Sequence, residues 1–285
     1  MELYVVDAFT AQRFSGNQAG VALLERGEGF PEESWMRALA GELKHSETVF
    51  VLPTEAGGFH LRYFTPADEV DLCGHATVAA FTTLRDRAGL PEGEYPVHTR
   101  AGDIFVAVTA GSVFMDMASP QVLRRFAPEE LPALYAAYGL TPDDKPEGLE
   151  PAIVSTGLAD ILLPVTAQAL DRAEQNRGEV LRISEQYDVV GFHLFCPDET
   201  HTARCRNFAP RYDIDEEAAT GTSNGALTWL LYEQGRVRPG EENEFLQGEA
   251  MGKPSLIRSR LTFEEDKPRI RVGGPAVVNF RAELL

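Results

Sequence analysis

Leu72–Leu84 reads LCGHATVAAFTTL, and Thr220–Gly235 reads TGTSNGALTWLLYEQG. In each stretch a glycine turn opens onto a run that is apolar or small on nearly every side. A helix with no polar face is a buried helix, so each stretch predicts a central helix with other elements wrapped around it. A glycine-containing helix entrance also presents bare backbone N–H groups, which cradle anions. Strand-like segments surround both helices. Before and after the first lie Leu3–Val6, Val21–Leu24, Ser46–Leu52, Phe59–Phe64, Val97–Arg100, Ile104–Val108 and Val113–Met117. Around the second lie Ala152–Val154, Ile161–Val165, Val189–Cys196, Thr202–Phe208, Ile257–Phe263, Ile270–Val272 and Ala276–Phe280. Further helices are expected from Pro31 through Leu43, over Glu129–Tyr138, and over most of Leu170–Tyr187. The expectation is an α+β fold whose halves repeat the same order, with a linker near Ala118–Arg124, where Ser119-Pro120 interrupts the strand run.

Composition sets the outer limits. The chain has 285 residues, enough for one large domain or two modest ones. Forty-four acidic residues against 26 basic ones give a formal charge of −18. That argues against nucleic acid and anionic membrane surfaces as partners, since both need a basic footprint. It leaves room for an acidic substrate, because a nest of N–H groups is locally positive even in an acidic protein. Three cysteines, Cys73, Cys196 and Cys205, make a poor disulfide framework. The N-terminal segment lacks the basic and apolar regions of a signal peptide, and the apolar runs fall short of a membrane span, so a cytoplasmic location is expected.

Glu47 begins the strand-like ETVFV, and alternation puts it on one face with Val49 and Val51. A carboxylate on such a face is desolvated, its pKa is expected to rise, and it becomes a usable acid/base near neutrality. The competing reading is an exposed Glu at the strand's start. His75 lies just inside the first glycine turn, where the helix dipole disfavours the cation. It reads either as a neutral imidazole donating to substrate or as a capping residue. Cys73, at the same helix start, is either a thiol of lowered pKa or a small buried hydrophobe. Glu216 and Glu217 precede the second turn, where negative charge also serves simply as a cap. His193, Cys196, His201 and Cys205 imitate a zinc pattern, but strand alternation sends His193 and Cys196 to opposite faces, so no metal site is expected. Gly248–Lys253 (GEAMGK) is one residue short of a phosphate loop, and Pro254 follows where Ser or Thr is required.

Six segments in order resemble the phenazine-biosynthesis PhzF-like isomerases, within the diaminopimelate epimerase-like fold. They are VDAFT…FSGNQAGVAL, SETVF, the LR-Y-FTPADEVDLCGHAT stretch, EEAATGTSNGAL, QGEAMGKPS and VGGPAVV. The resemblance implies two pseudosymmetric lobes, each a barrel-like, mostly antiparallel sheet around a central helix. It divides the chain into residues 1–117 plus 268–285 and residues 118–267. It implies an active site between the lobes, a homodimer, a small carboxylate substrate and no cofactor. Carried over residue by residue, Glu47 matches the catalytic acid/base, His75 the histidine of the family's Gly-His turn, and Glu217 an Asp. Asn17, Ser46, Gly74, Gly221 and Thr222 match positions lining the substrate pocket. Glu217 is one methylene longer than Asp, Ala218 stands for the motif's proline, and Gln18 for the proline usual after Gly-Asn. Racemases of the same fold use a cysteine at each helix entrance; Cys73 fills the first position and Ala218 the second. The expected activity is therefore proton transfer within a small carboxylic acid. The alternatives are an epimerase or racemase using Cys73 as one base, and a non-catalytic small-acid binding protein.

Overall fold

A computed structural model describes residues 1–284. The chain forms two compact units, one of Met1–Asp116 with Gly273–Leu285 and one of Met117–Val272. The fold is a sheet-dominated mixture of helices and strands.

In the first unit, strand Glu2–Ala8 pairs antiparallel with both Asn17–Leu23 and Ala276–Ala282. Asn17–Leu23 then runs parallel to Glu47–Pro53, with Ala19 opposite Glu47. A parallel pair needs a crossover, and helix Glu33–Leu43 supplies it. That helix buries Met36, Leu39 and Ala40 and ends at Lys44, whose left-handed φ of 57° turns the chain towards Glu47. Glu47–Pro53 pairs antiparallel with Phe59–Phe64, which continues into the short strand Glu69–Val70. Helix Gly74–Ala88 follows, with every residue from His75 to Leu84 buried and Gly89 (φ 69°) closing it. It packs on the strands Glu2–Ala8, Asn17–Leu23, Val113–Asp116 and Ala276–Ala282. Gly93–Thr99 lies parallel to Phe59–Phe64 and antiparallel to Gly102–Val108.

The second unit repeats this connectivity. Ala152–Ser155 pairs antiparallel with Ala159–Pro164, which runs parallel to Phe192–Pro197 after a helical crossover. Phe192–Pro197 pairs antiparallel with Ala203–Ala209, which pairs with Ile214–Glu217. Helix Gly221–Glu233 then leads to Glu242–Gln247, parallel to Ala203–Ala209 and antiparallel to Ser255–Glu264. This second apolar helix buries Ser223 through Thr228, Leu230 and Leu231.

Two sequence expectations need correction and one gains detail. Most of the proposed linker is strand: Gln121–Arg125 pairs with Ala152–Ser155, and Pro120 sits just before it, where a missing N–H breaks no ladder bond. The stretch over 170–187 is mostly helical as expected, in two helices, Ala167–Arg172 and Arg177–Tyr187, and the Arg206 guanidinium takes the Leu170 and Ala173 carbonyls at the break, at 3.1 and 2.8 Å. The helix expected over 129–138 is confined to Leu131–Ala136.

Candidate active site

Parallel pairing and a helix start bring six side chains or turns of the first unit together. Glu47 opens its strand beside Ala19, two residues beyond Asn17, and Ser46 immediately precedes it. Cys73 caps the central helix in extended backbone, and Gly74 and His75 form its first residues. The Cys73 carbonyl is fixed from below, where the Thr77 hydroxyl donates to it at 2.7 Å and lies 2.7 Å from the Tyr63 hydroxyl. With no Cβ on Gly74, the nearest atom a methyl there would meet is the Met115 sulfur, 3.6 Å away.

His75 is the centre of the group and is 5% exposed. Its Nε2 lies 3.1 Å from Glu47 Oε2 and 3.3 Å from Ser46 Oγ. Its Nδ1 lies 3.3 Å from the Asn17 amide nitrogen and 3.4 Å from Cys73 Sγ. The Glu47 contact is an ion pair without the alignment of a hydrogen bond, so buried Oε2 keeps no hydrogen-bond partner.

The charge states differ from those expected of the isolated elements. Burial pushes the Glu47 carboxyl up, but His75, then Ser46 and Cys73, outweigh it and hold the group below the usual carboxylate value. Burial pushes His75 down, while the Cys73 sulfur and the Glu47 carboxylate raise it well above an ordinary imidazole. The Cys73 thiol is raised by burial and by the charge of Glu47, so at neutral pH it is a neutral thiol. The partner that charges His75 there is therefore Glu47. The expectations of a raised Glu47 and a neutral His75 fail because the carboxylate and imidazole are in contact, and that of a lowered Cys73 fails because the thiol is buried beside the Glu47 charge. The result is a resting carboxylate–imidazolium pair with one carboxylate oxygen unsatisfied.

Glu217, Gly221 and Thr222 fall in the second unit, at the start of the other central helix. The Thr220 hydroxyl donates to Glu217 Oε2 at 2.7 Å. Gln247 staples this entrance: Nε2 donates to the Glu217 carbonyl at 2.8 Å, and Oε1 accepts from Thr220 N–H and from Asn224 Nδ2. Asn224 Oδ1 meets His193 Nε2 at 3.3 Å, and His193 Nδ1 meets Asn207 Nδ2 at 3.3 Å. Asn207 also donates to Ser223, whose hydroxyl donates to buried Asp160. Thr156 holds the Thr222 carbonyl at 2.9 Å. Gly248 sits at φ 83°, and a methyl there would lie 2.3 Å from the Lys253 carbonyl and 2.7 Å from that of Ala218. Glu216 is engaged elsewhere, by Arg206 through two contacts of 2.9 and 2.8 Å. Sequence reasoning missed Gln247, Asn224 and Thr220 as organisers of this entrance; the available signal was their polarity within otherwise buried segments.

His193, Cys196, His201 and Cys205 do not converge. His193 and Cys205 engage Asn224, and His201 pairs with Asp198 at 3.2 Å. Among the described residues, one group of three has metal-donor atoms close together: Glu47, Cys73 and His75.

Residues 6–282 match the family described as phenazine biosynthesis-like protein, PhzC-PhzF. The chain belongs to this family. An uncharacterized isomerase of Deinococcus radiodurans is 35% identical to this PhzF-like chain, covering 96% of the chain and 91% of that protein. The uncharacterized isomerase YddE of Escherichia coli (strain K12) is 31% identical, covering 99% and 97%. Among solved structures, a Bacillus anthracis phenazine biosynthesis protein of the PhzF family superposes with a TM-score of 0.89 at 26% identity, covering 100% and 99%. A hydroxyproline epimerase from Agrobacterium vitis gives a TM-score of 0.61 at 16% identity over 99% and 91%, a likeness of fold. The PhzF-like chain is thus an enzyme of the isomerase class. No helix among its described residues is long and apolar enough to cross a membrane.

Proposed function

We propose that this chain is a cofactor-independent isomerase that moves a proton within a small carboxylic acid, with Glu47 as acid and base. The observation that carries the reading is Glu47 Oε2, buried, without a hydrogen-bond partner, and 3.1 Å from the His75 ring. Such an oxygen is a proton acceptor whose desolvation is offset by an adjacent cation. Glu47 takes a proton from an activated carbon, and the C–H electron pair passes into the substrate's conjugated acid. Glu47 then returns the proton to a second carbon, so atoms and electrons balance within one substrate. A carboxylate held below its usual pKa is a weak base. The compensation comes from stabilising the developing anion, for which the His75 cation and the N–H groups opening the first central helix are suited. In this reading Asn17, Ser46 and Gly74 line the pocket beside Glu47, and Glu217, Gly221 and Thr222 keep the substrate-orienting role that the family resemblance implies. Two pseudosymmetric lobes and a homodimer belong to the same proposal; the repeated strand connectivity supports the first.

An epimerase using Cys73 is the second reading, favoured by the position of its sulfur 3.4 Å from His75 Nδ1. Against it stand the raised thiol and Ala218 at the other helix entrance. The test is proton NMR in heavy water with a panel of small amino, hydroxy and unsaturated acids, comparing wild type, Glu47→Gln and Cys73→Ala. Loss of a carbon-bound proton signal with wild type and Cys73→Ala but not with Glu47→Gln supports the first reading. Exchange that survives in Glu47→Gln and vanishes in Cys73→Ala transfers the role to the thiol. Ligand line broadening without any exchange supports a binding protein.

A further inference from the structure

The structure assigns a second capacity to the same three residues: we propose that Glu47, Cys73 and His75 bind a divalent transition metal of the zinc–cobalt type, and that the metal switches the site off. The binding half stands on geometry alone. The inhibitory half rests on the proposed role of Glu47.

The donor set comprises a carboxylate oxygen, an imidazole nitrogen and a thiol sulfur, all within 4.8 Å of one another. His75 Nε2 is 3.1 Å from Glu47 Oε2 and 3.8 Å from Cys73 Sγ. Zinc bonds of about 2.0–2.2 Å to nitrogen and oxygen and about 2.3 Å to sulfur put tetrahedral donors roughly 3.3–3.6 Å apart. The two separations from His75 bracket that range, and the carboxylate and thiol lie within 4.8 Å of each other, so the side chains draw in around the ion to complete a three-ligand site. A fourth position remains for water. Thiolate and imidazole together select zinc or cobalt over magnesium or calcium, which prefer oxygen donors.

Charge balance permits the exchange. Before binding, the group holds a carboxylate, an imidazolium and a neutral thiol. A dication would displace the imidazolium and thiol protons to solvent, leaving carboxylate and thiolate charges to match its own. The net charge of the buried group is zero in both states, so no uncompensated ion is created. All three donors stand on rigid elements, one at a strand start and two at a helix start. Asn17 lies 3.3 Å from the other ring nitrogen, where turning its amide presents an oxygen to Nδ1–H. A metal so placed occupies Glu47 Oε2, the oxygen that would accept the substrate proton. The Glu47 side chain retains 16% exposure, which leaves a route for the ion.

Cobalt(II) titration of the chelator-stripped full chain under anaerobic conditions tests the binding. A thiolate-to-cobalt charge-transfer band in the near ultraviolet should grow and saturate at one equivalent, then bleach when zinc displaces cobalt. Cys73→Ser should remove that band. His75→Asn and Glu47→Gln should weaken binding by about tenfold or more. Circular dichroism checks that each variant folds. Absence of a saturable band, or a band unchanged in Cys73→Ser and so arising from Cys196 or Cys205, overturns the site. One equivalent of zinc should also abolish the deuterium exchange described above, and chelator should restore it. Exchange that persists with zinc bound overturns the inhibitory half. If wild type exchanges no proton from any acid, the functional reading has failed, while the cobalt spectra still decide the metal site.

Discussion

Glu47→Gln changes one atom of the buried pair and should alter stability as well as turnover. At an effective dielectric of about 20, unit charges at the 3.1 Å separation of Glu47 and His75 attract by about 5 kcal/mol. Leaving Oε2 buried without a hydrogen bond costs roughly 1–3 kcal/mol. The difference, about 2–4 kcal/mol, is the stability the variant should lose near neutral pH, close to what breaking a buried pair costs elsewhere. The pH dependence carries the sharper test. The Glu47 carboxyl is lowered from 4.5, so its contribution is present above that value and is lost as pH falls through the folded-state value. His75 is raised from 6.5, so its contribution is full below 6.5 and is lost as pH rises through a folded-state value well above it. The gap between wild type and variant should therefore be widest between 4.5 and 6.5 and close in strong acid and in alkali. Urea unfolding of both proteins at about pH 3, 5.5 and 10 measures it. A gap that is independent of pH, or that widens in acid, would refute the ion pair.

Two further outcomes follow from the second unit. Burial holds His193 down at about 4, from 6.5, and pushes Asp160 up to about 6, from 3.8. His193 therefore loses stability as pH falls from 6.5 to about 4, whereas Asp160 loses it as pH rises from 3.8 to about 6. Each effect is worth about 3 kcal/mol and they nearly cancel in wild type, so Asp160→Asn should show an acid loss of about that size in urea titrations. Gln247→Leu removes the staple across the second helix entrance and should cost about 3 kcal/mol of stability, read as a shift in urea midpoint with an unchanged slope.

What the sequence revealed depended on how local the cause was. The two central helices are readable because their apolar pattern covers every side, and each has a glycine at its entrance. The direction in which Glu47 points was less readable than alternation implied. Thr48, Val49, Phe50 and Val51 are all buried, because the strand is covered on both faces, so period two no longer separates inside from outside. The break after Arg172 was hidden for a different reason. The residues there continue a helical pattern, and the arginine that takes the freed carbonyls arrives from a strand more than thirty positions later. Gln247 was hidden likewise: nothing in GEAMGK or its flanks tells that the preceding amide reaches back to Glu217 and Thr220.

The protonation states show why a list of residues does not yet give a mechanism. At a helix start the dipole disfavours an imidazolium by about 0.3–1 kcal/mol, and by up to about 2 kcal/mol when partly buried. A carboxylate at 3.1 Å favours it by about 5 kcal/mol on the same scale of reasoning. The larger effect wins, and it is the one that sequence spacing cannot supply, since Glu47 and His75 lie on separate elements. The same carboxylate acts on Cys73 with the opposite result. A negative neighbour in a buried setting disfavours a thiolate, so the helix start that should have activated the sulfur does not. One placement, a strand-opening Glu beside a helix-opening His, therefore charges the imidazole, adds to the burial that keeps the thiol neutral, and leaves a carboxylate oxygen as the basic atom of the group. That ordering is what favours Glu47 over Cys73 as the proton acceptor.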